Sequence, residues 1–258
     1  MKKTLLLIFA FATAIAYGQY STGGTGIAVN FANLVEATEQ AQVVDGNYQL
    51  AGEITISAND TLLVETNDTV FFASDGLLRI EGVMLANPTE YAVFTATDTL
   101  QGYEGITFDE SNGSTIENIH FMHSGGLKLL YSDVTINKCI FYKATAANGS
   151  GAVNMLGSNP VIDSCDFILN ARSGVASSAT ASSSPTITNS NFYRNNTENG
   201  NRPQINLGTS DGENDIVISR NTIDGFYDNT GGLSLATLAG GSVSAVVEHN
   251  LITNNRYG

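Results

Sequence analysis

Apolar and polar residues alternate in short segments along most of the chain, and one arrangement returns at intervals of 20 to 31 residues. Six segments can be superposed so that two columns match. One column holds isoleucine or valine, and the other holds phenylalanine or isoleucine. The segments are TIENIHF at 115, TINKCIF at 135, VIDSCDF at 161, TITNSNF at 186, VISRNTI at 217 and VVEHNLI at 246. Such alternation predicts strands with one buried face, so each segment predicts two short strands separated by a bend.

A second short alternation lies upstream of these segments, as GITF at 105, GLKLL at 126, GAVNML at 151, QINL at 204 and GLSL at 232. The six segments align in the same chain direction. An antiparallel sandwich or barrel, the main alternative, would not require this, because alternate strands run oppositely there. A chain wound so that each turn stacks on the last pairs its backbone and buries one face of every strand. We therefore predict an all-β fold, a parallel β-helix or solenoid, over residues 54–258.

A bend column separates the two strands of each segment and reads Ile119, Cys139, Cys165, Ser190, Asn221 and Asn250. Consecutive coils stack about 4.8 Å apart, so the members of this column are predicted to be vertical neighbours. Asn221 and Asn250 are expected to form an amide ladder, as in cross-β stacks. Cys139 and Cys165 are expected to be either two buried structural thiols or one disulfide. Neither is expected to be a nucleophile, because the pattern pairs no histidine or basic residue with it.

The first eighteen residues follow the plan of a signal peptide, with two lysines, an apolar run and small residues before Gln19. The apolar run is shorter than a spanning helix requires, and the sequence contains no second run of this kind. We therefore predict a signal peptide over residues 1–18, a secreted or cell-surface protein, and no membrane span after cleavage.

Residues 19–53 precede the regular repeats, and we expect them to form an N-terminal cap region. Within it, NLVEATEQAQ predicts a short helix from Asn33 to Gln42, which Asn33 caps and on which Leu34 and Val35 form the apolar side. At the other end, the chain stops directly after the last segment. A solenoid needs a terminal cap over its last apolar layer. We therefore expect the β-helix to be truncated at its C-terminus, either because this sequence is a fragment or because further coils and a sorting or anchoring module follow.

The composition fits a folded protein with an acidic surface. Hydrophobic residues make up 42% of the chain, and 25 acidic residues against 11 basic ones give a formal net charge of −14. This charge argues against nucleic acid or an anionic membrane as a partner, because both need a basic face. Two cysteines without a CxxC motif indicate neither a disulfide scaffold nor a zinc site.

Any groove on a solenoid would be built from outward-facing residues of stacked strands. One outward file is predicted to contain Thr107, Lys128, Asn154, Ala176, Asn206 and Ser234. Lys128 beside Asp109 could act as a base near a cation site, and the alternative is a solvated face with one salt bridge. In a second outward file, Glu117 and Asp163 lie two coils apart, near the upper limit for the carboxylates of an inverting glycosidase.

Two further groups of residues could bind ligands. Asp211, Glu213 and Asp215 alternate within GTSDGEND and could gather around calcium, although the stretch lacks the glycine and closing glutamate of an EF-hand loop. The alternative is a charged, exposed turn. The tyrosines that flank the coil bends are Tyr131, Tyr142 and Tyr193. They could form a sugar-stacking platform or cover the coil edges.

The I-x-x-N/C-x-F/I units, such as VISRNTI and VVEHNLI, resemble the right-handed parallel β-helix proteins of the pectate-lyase-like superfamily. Residues 60–108 also look like the opening coils of secreted bacterial β-helix proteins, through Gly82 to Ala86, Phe94-Thr95 and Tyr103 to Ile106. The resemblance implies a right-handed solenoid. Enzymes of this superfamily cleave acidic polysaccharides by calcium-assisted β-elimination or by hydrolysis with an aspartate cluster. This sequence contains no Asp-Asp pair, no Gly-His-Gly and no Arg-x-Pro-x-x-Arg, so neither signature carries over.

Together these observations predict a right-handed parallel β-helix with a binding, adhesive or structural role towards extracellular carbohydrate, and favour a role without catalysis. The alternative is a polysaccharide lyase or glycoside hydrolase of the same superfamily. No cofactor is required for the predicted role, and calcium is a ligand that the acidic segments could take.

Overall fold

The structure is a computed structural model that describes residues 18–145, 147, 149–237 and 240–258. The predicted signal peptide, apart from Gly18, therefore lies outside the described residues. Among the described residues, no helix is both long enough and apolar enough to cross a membrane.

The described chain forms one short helix and many short strands. In chain order these are β1 (Gln19–Ser21), β2 (Ala28–Val29), α1 (Phe31–Ala37), β3 (Ala41–Val44), β4 (Asn47–Leu50), β5 (Glu53–Ile56), β6 (Thr61–Val64), β7 (Thr69–Phe72), β8 (Leu77–Ile80), β9 (Val83–Ala86), β10 (Ala92–Ala96), β11 (Gly105–Asp109), β12 (Thr115–Glu117), β13 (Ile119–Met122), β14 (Leu127–Leu130), β15 (Thr135–Asn137), β16 (Ile140–Tyr142), β17 (Gly151–Leu156), β18 (Val161–Asp163), β19 (Asp166–Ile168), β20 (Ser173–Ser177), β21 (Thr186–Thr188), β22 (Asn191–Tyr193), β23 (Arg202–Leu207), β24 (Ile216–Ser219), β25 (Thr222–Asp224), β26 (Thr230–Leu235), β27 (Ala245–Glu248) and β28 (Leu251–Thr253).

These strands form three sheets, which the chain visits in turn before it returns to the first one coil further on. Sheet A contains β1, β5, β8, β11, β14, β17, β20, β23 and β26. Sheet B contains β2, β6, β9, β12, β15, β18, β21, β24 and β27. Sheet C contains β3, β4, β7, β10, β13, β16, β19, β22, β25 and β28. Neighbours pair in parallel, except for the antiparallel pair β3 and β4. The fold is the predicted all-β, right-handed parallel β-helix, and the antiparallel alternative is wrong.

The register confirms both apolar columns. In sheet B the structure pairs, coil by coil, Ile116, Ile136, Ile162, Ile187, Ile218 and Val247. In sheet C it pairs Phe121, Phe141, Phe167, Phe192, Ile223 and Ile252. The four phenylalanine rings stack with centroid distances of 5.1, 4.8 and 4.6 Å. Each such aromatic pair adds about 0.5–1.5 kcal/mol beyond the burial of its area, so the column stabilises the coil stack as a whole.

The helix differs from its prediction at both ends. It runs from Phe31 to Ala37 and is capped by Asn30, whose side chain accepts a hydrogen bond from the backbone N–H of Asn33 (3.0 Å). The side chain of Asn33 accepts one in return from the backbone of Asn30 (3.1 Å). The prediction that Asn33 is the cap was therefore wrong by one turn. Phe31 and Leu34 are the buried residues of this helix. The helix begins at Phe31 because this start places both side chains in the core.

Parallel pairing begins before residue 54. Strand β1 pairs with β5, β2 with β6, and β4 with β7. The ring of Phe31 lies 5.6 Å from the ring of Tyr48 and 5.6 Å from that of Phe94, so α1 contacts the same core as the coils. The role of residues 19–53 as an N-terminal cap stays a prediction.

Candidate functional site

The outer face of sheet A carries the predicted file from Thr107 to Ser234. The register places its members opposite one another, coil by coil, as predicted. Thr107 and Ala176 are buried, so the file is not a continuous exposed groove. A small concavity remains beside Asn154 and Asn206.

Asp109 is held by a partner other than the one predicted. Its Oδ2 lies 3.0 Å from Nη1 of Arg79, whose Nε lies 2.8 Å from Oε1 of Glu53. The hydrogen bond to Glu53 raises the pKa of Arg79 above its ordinary value. Among the described residues, Lys128 forms no ion pair with Asp109. The structure therefore does not assemble the predicted pair of a base and a cation site, because Arg79 occupies the carboxylate.

The three carboxylates suggested for calcium do not converge. Oδ1 of Asp211 accepts hydrogen bonds from the backbone N–H groups of Glu213 (2.9 Å) and Asn214 (2.7 Å). Burial alone would raise the pKa of Asp211, but hydrogen bonds from Asn214, Glu213 and Ser184 lower it to about 2. Asp215 instead accepts a hydrogen bond from the hydroxyl of Ser244. Within the described ranges, no group of three or more histidine, cysteine, aspartate or glutamate side chains could hold a metal ion.

The bend column forms a ladder between coils. Nδ2 of Asn221 donates to Oδ1 of Asn250 (3.0 Å), and the same oxygen accepts from the backbone N–H of Asn221 (2.9 Å). Cys139 and Cys165 are buried free thiols, which decides between the two alternatives left open by the sequence. Each sulfur donates to a backbone carbonyl, at 3.6 Å for Cys139 to Ile116 and for Cys165 to Ile136. Burial raises the pKa of Cys165 well above its ordinary value, as expected for an inert thiol.

Two further hydrogen-bond ladders were not predicted from the sequence. Nδ2 of Asn170 donates to Oδ1 of Asn195 (2.7 Å), and Nδ2 of Asn195 donates to Oε1 of Gln204 (2.8 Å). A serine ladder joins the backbone N–H of Ser132 to the hydroxyl of Ser158 (3.0 Å) and continues to Ser183. A signal for the first ladder was present, because an asparagine follows the buried phenylalanine by three residues in both FILN and FYRN.

The outer face of sheet C carries a strip of aromatic and cationic side chains. Tyr142 and Tyr193 occupy one outward file with Ile168 between them, so the structure brings together two of the three tyrosines noted above. Tyr131, at the end of sheet A strand β14, lies outside this file. The exposed fractions of Tyr193 and Phe226 are 39% and 58%, so their rings are accessible to a ligand.

A cation lies over each of these tyrosines. The Nζ of Lys143 lies 5.1 Å from the ring centroid of Tyr142. The guanidinium of Arg194 lies 4.8 Å from the ring of Tyr193 and 4.4 Å from the ring of Phe226. We call these five residues the aromatic strip.

Two histidines lie near the aromatic strip on the preceding coil. The ring of His120 stacks on Tyr91 at 4.2 Å with an interplanar angle of 7°. Burial lowers the pKa of His120, partly opposed by Asp166, and burial together with Lys143 lowers the pKa of His123. The surroundings of both imidazoles therefore favour their neutral form.

Three stacked parallel sheets with internal hydrogen-bond ladders define a right-handed parallel β-helix protein. A sequence model of this class, described as the right handed beta helix region, matches residues 104–258, which is more than half of the chain. The chain belongs to this family. No curated protein matched the sequence.

A solved structure that matches is the crystal structure of a candidate glycosyl hydrolase from Parabacteroides merdae. It shares 13% sequence identity over 57% of this chain and 78% of that chain, with a TM-score of 0.36. A likeness of this size carries no information about activity.

Proposed function

We propose that this chain is a secreted or cell-surface β-helix that binds extracellular carbohydrate along the aromatic strip. The observation that carries the proposal is the placement of Tyr142 and Tyr193 in one outward file, two coils apart. Two coil spacings amount to about 9.6 Å, which is close to the length of one disaccharide in an extended glycan. Aromatic rings provide a large apolar surface with a polar edge, and this combination suits the faces of sugar rings.

The backbone around the aromatic strip is well suited to present it rigidly. Its tyrosines lie on β16 and β22, and the phenylalanine column stacks directly beneath them. The ladder from Asn170 to Asn195 ties the same coils together. Side chains that are already ordered lose little entropy on binding, which favours affinity for a long, regular ligand.

The carboxylates on the other outer faces favour binding over cleavage. Asp109 is engaged by Arg79, and Glu117 is engaged by Lys138 (2.6 Å). Asp163 accepts hydrogen bonds from Thr188 (2.5 Å) and Asn189 (2.6 Å), and these outweigh the effect of burial and lower its pKa. Carboxylates in such contacts are poorly placed to act as the acid and base of a glycosidase.

The test is a double variant, Tyr142→Ala with Tyr193→Ala, compared with the wild-type protein by affinity electrophoresis in gels that contain neutral or acidic glycans. Each aromatic contact contributes about 0.5–1.5 kcal/mol, so we expect the double variant to bind roughly tenfold or more weakly. Tyr131→Ala is the matched control, because Tyr131 is 56% exposed but lies outside the aromatic strip.

Equal retardation of the double variant and the wild type on every retarding glycan would contradict the proposal. The same incubations are assayed for new reducing ends and for the absorbance of unsaturated products, with and without calcium. Appearance of either product would replace the binding role with the lyase or hydrolase alternative.

A further inference from the structure

Two cations of the aromatic strip have no acidic partner. Within the described part of the chain, neither Lys143 nor Arg194 forms an ion pair. The chain as a whole carries 25 acidic and 11 basic residues. The Nε of Arg194 is also buried and has no hydrogen-bond partner. A partly desolvated cation without a counter-charge is unfavourable, so an anion that binds the exposed part of the half-buried Arg194 would be stabilising.

The surroundings of Arg194 determine which ligand group its guanidinium can bind. The rings of Tyr193 and Phe226 pack against its guanidinium. A guanidinium that packs on aromatic rings still has N–H donors along its edge, and these match the two oxygens of a carboxylate or the oxygens of a sulfate. Hydrogen bonds between charged groups gain strength where water is partly excluded, as it is around the half-buried Arg194.

Lys143 occupies the same column two coils earlier. The backbone N–H of Lys143 donates to Ile168 (3.1 Å), and that of Leu169 donates to Tyr193 (3.0 Å), so positions 143, 169 and 194 stack in register. All three have positive φ, at 51°, 54° and 51°, and therefore project from equivalent bends. The pair of a tyrosine and the cation that follows it thus occurs twice, at two sites that lie two coils, or about 9.6 Å, apart.

We infer that Lys143 and Arg194 bind the negative groups of a glycan that carries one such group on every second sugar, as a carboxylate or a sulfate. The inference rests on the proposed function, since the rings hold the sugars and the cations select the charge. The neutral Leu169 between them offers no partner for a charge on the intervening sugar. The overall negative charge of the protein repels surplus charge on the ligand, which favours the sparser polymer.

The test uses the purified protein and four glycans. Hyaluronan has one carboxylate per disaccharide and κ-carrageenan has one sulfate per disaccharide, while polygalacturonate is charged on every sugar and xyloglucan is neutral. The variants are Arg194→Gln and Lys143→Gln, with Arg194→Lys to retain the charge without the planar fork. Arg220→Gln is the matched control, because Arg220 is an exposed arginine at another bend and its loss changes the net charge equally.

We expect Arg194→Gln to weaken binding of hyaluronan or κ-carrageenan about tenfold, from the loss of a charge-assisted hydrogen bond. Lys143→Gln should have a smaller effect in the same direction, Arg194→Lys an intermediate one, and Arg220→Gln none. Binding of xyloglucan should not change in any of these variants. Tighter binding of hyaluronan would identify a carboxylate as the group that these cations bind, and tighter binding of κ-carrageenan would identify a sulfate.

Equal effects of Arg194→Gln and Arg220→Gln on both half-charged glycans would overturn the inference. Tighter binding of polygalacturonate than of either half-charged glycan would also overturn it. If Tyr142→Ala with Tyr193→Ala still weakened binding of xyloglucan roughly tenfold in that case, the proposed function would stand and only the selection of charge would fall. Circular dichroism of each variant checks that the β-structure is retained.

Discussion

Asp60 illustrates how one residue fixes a long segment of the first coil. Its carboxylate is fully buried and accepts hydrogen bonds from the backbone N–H groups of Gly24 (2.8 Å), Gly26 (2.8 Å) and Ile27 (3.0 Å) and from the hydroxyl of Thr22. Burial alone would raise its pKa, but these hydrogen bonds outweigh burial and lower it. The charged form therefore holds the segment between β1 and β2 against the solenoid.

The lowered pKa of Asp60 predicts a loss of stability in acid. Because its pKa is lower in the folded than in the unfolded chain, its contribution is complete above about pH 4 and is lost as the pH falls through the folded pKa. We expect Asp60→Asn to lower the melting temperature at pH 7 and to flatten its dependence on pH between 5 and 2. Thermal unfolding followed by circular dichroism measures both.

The control for Asp60 is Asp45→Asn, which removes the same charge from an exposed turn. An equal effect of the two substitutions would show that Asp60 acts through net charge alone. Retention of the wild-type acid profile in Asp60→Asn would place the titrating group elsewhere.

At the scale of the element, α1 shows where sequence patterns reach their limit. Asn30 and Asn33 have the same intrinsic preference for the N-cap, and they hydrogen-bond to each other in the structure. The choice between them depends on burial of Phe31 against Tyr48 and Phe94, which lie elsewhere in the chain. A local pattern therefore predicted the existence of this helix, while tertiary contacts set its first residue.

The cap of α1 predicts a measurable contribution. Asn30→Ala removes the acceptor for the backbone N–H of Asn33, and we expect it to lower the free energy of unfolding by about 1 kcal/mol. Urea denaturation measures this change. Glu36→Ala, on the exposed side of the helix, is the control and should change the free energy of unfolding by less than about 0.5 kcal/mol.

At the scale of the whole molecule, the apolar columns were predictable because each inward position recurs once per coil with the same residue type. The ladders were harder, since serine, asparagine and glutamine make equivalent hydrogen bonds and no single letter repeats, as between Asn195 and Gln204. The aromatic strip was predicted in part. Tyr142 and Tyr193 end equivalent strands beside the coil bends, and the repeat predicts this placement. Phe226 reaches Arg194 from the next coil, and no local pattern indicates that contact.

Each coil contacts little beyond its two neighbours, and this has a mechanical consequence. Pulled between residues 18 and 258, the chain should unravel in steps, because each coil depends mainly on its neighbours. Coils of 20 to 31 residues would each release roughly 70–110 Å of extended chain.

Optical tweezers would resolve such steps, and a single rupture of the whole fold would contradict this account. In sheet C, β22 with Tyr193 lies two coils from β28, and β16 with Tyr142 lies four coils from it. Under tension, coils outside those of Tyr142 and Tyr193 could therefore unravel and lengthen the protein while a ligand stayed bound, so that the molecule would absorb part of the load.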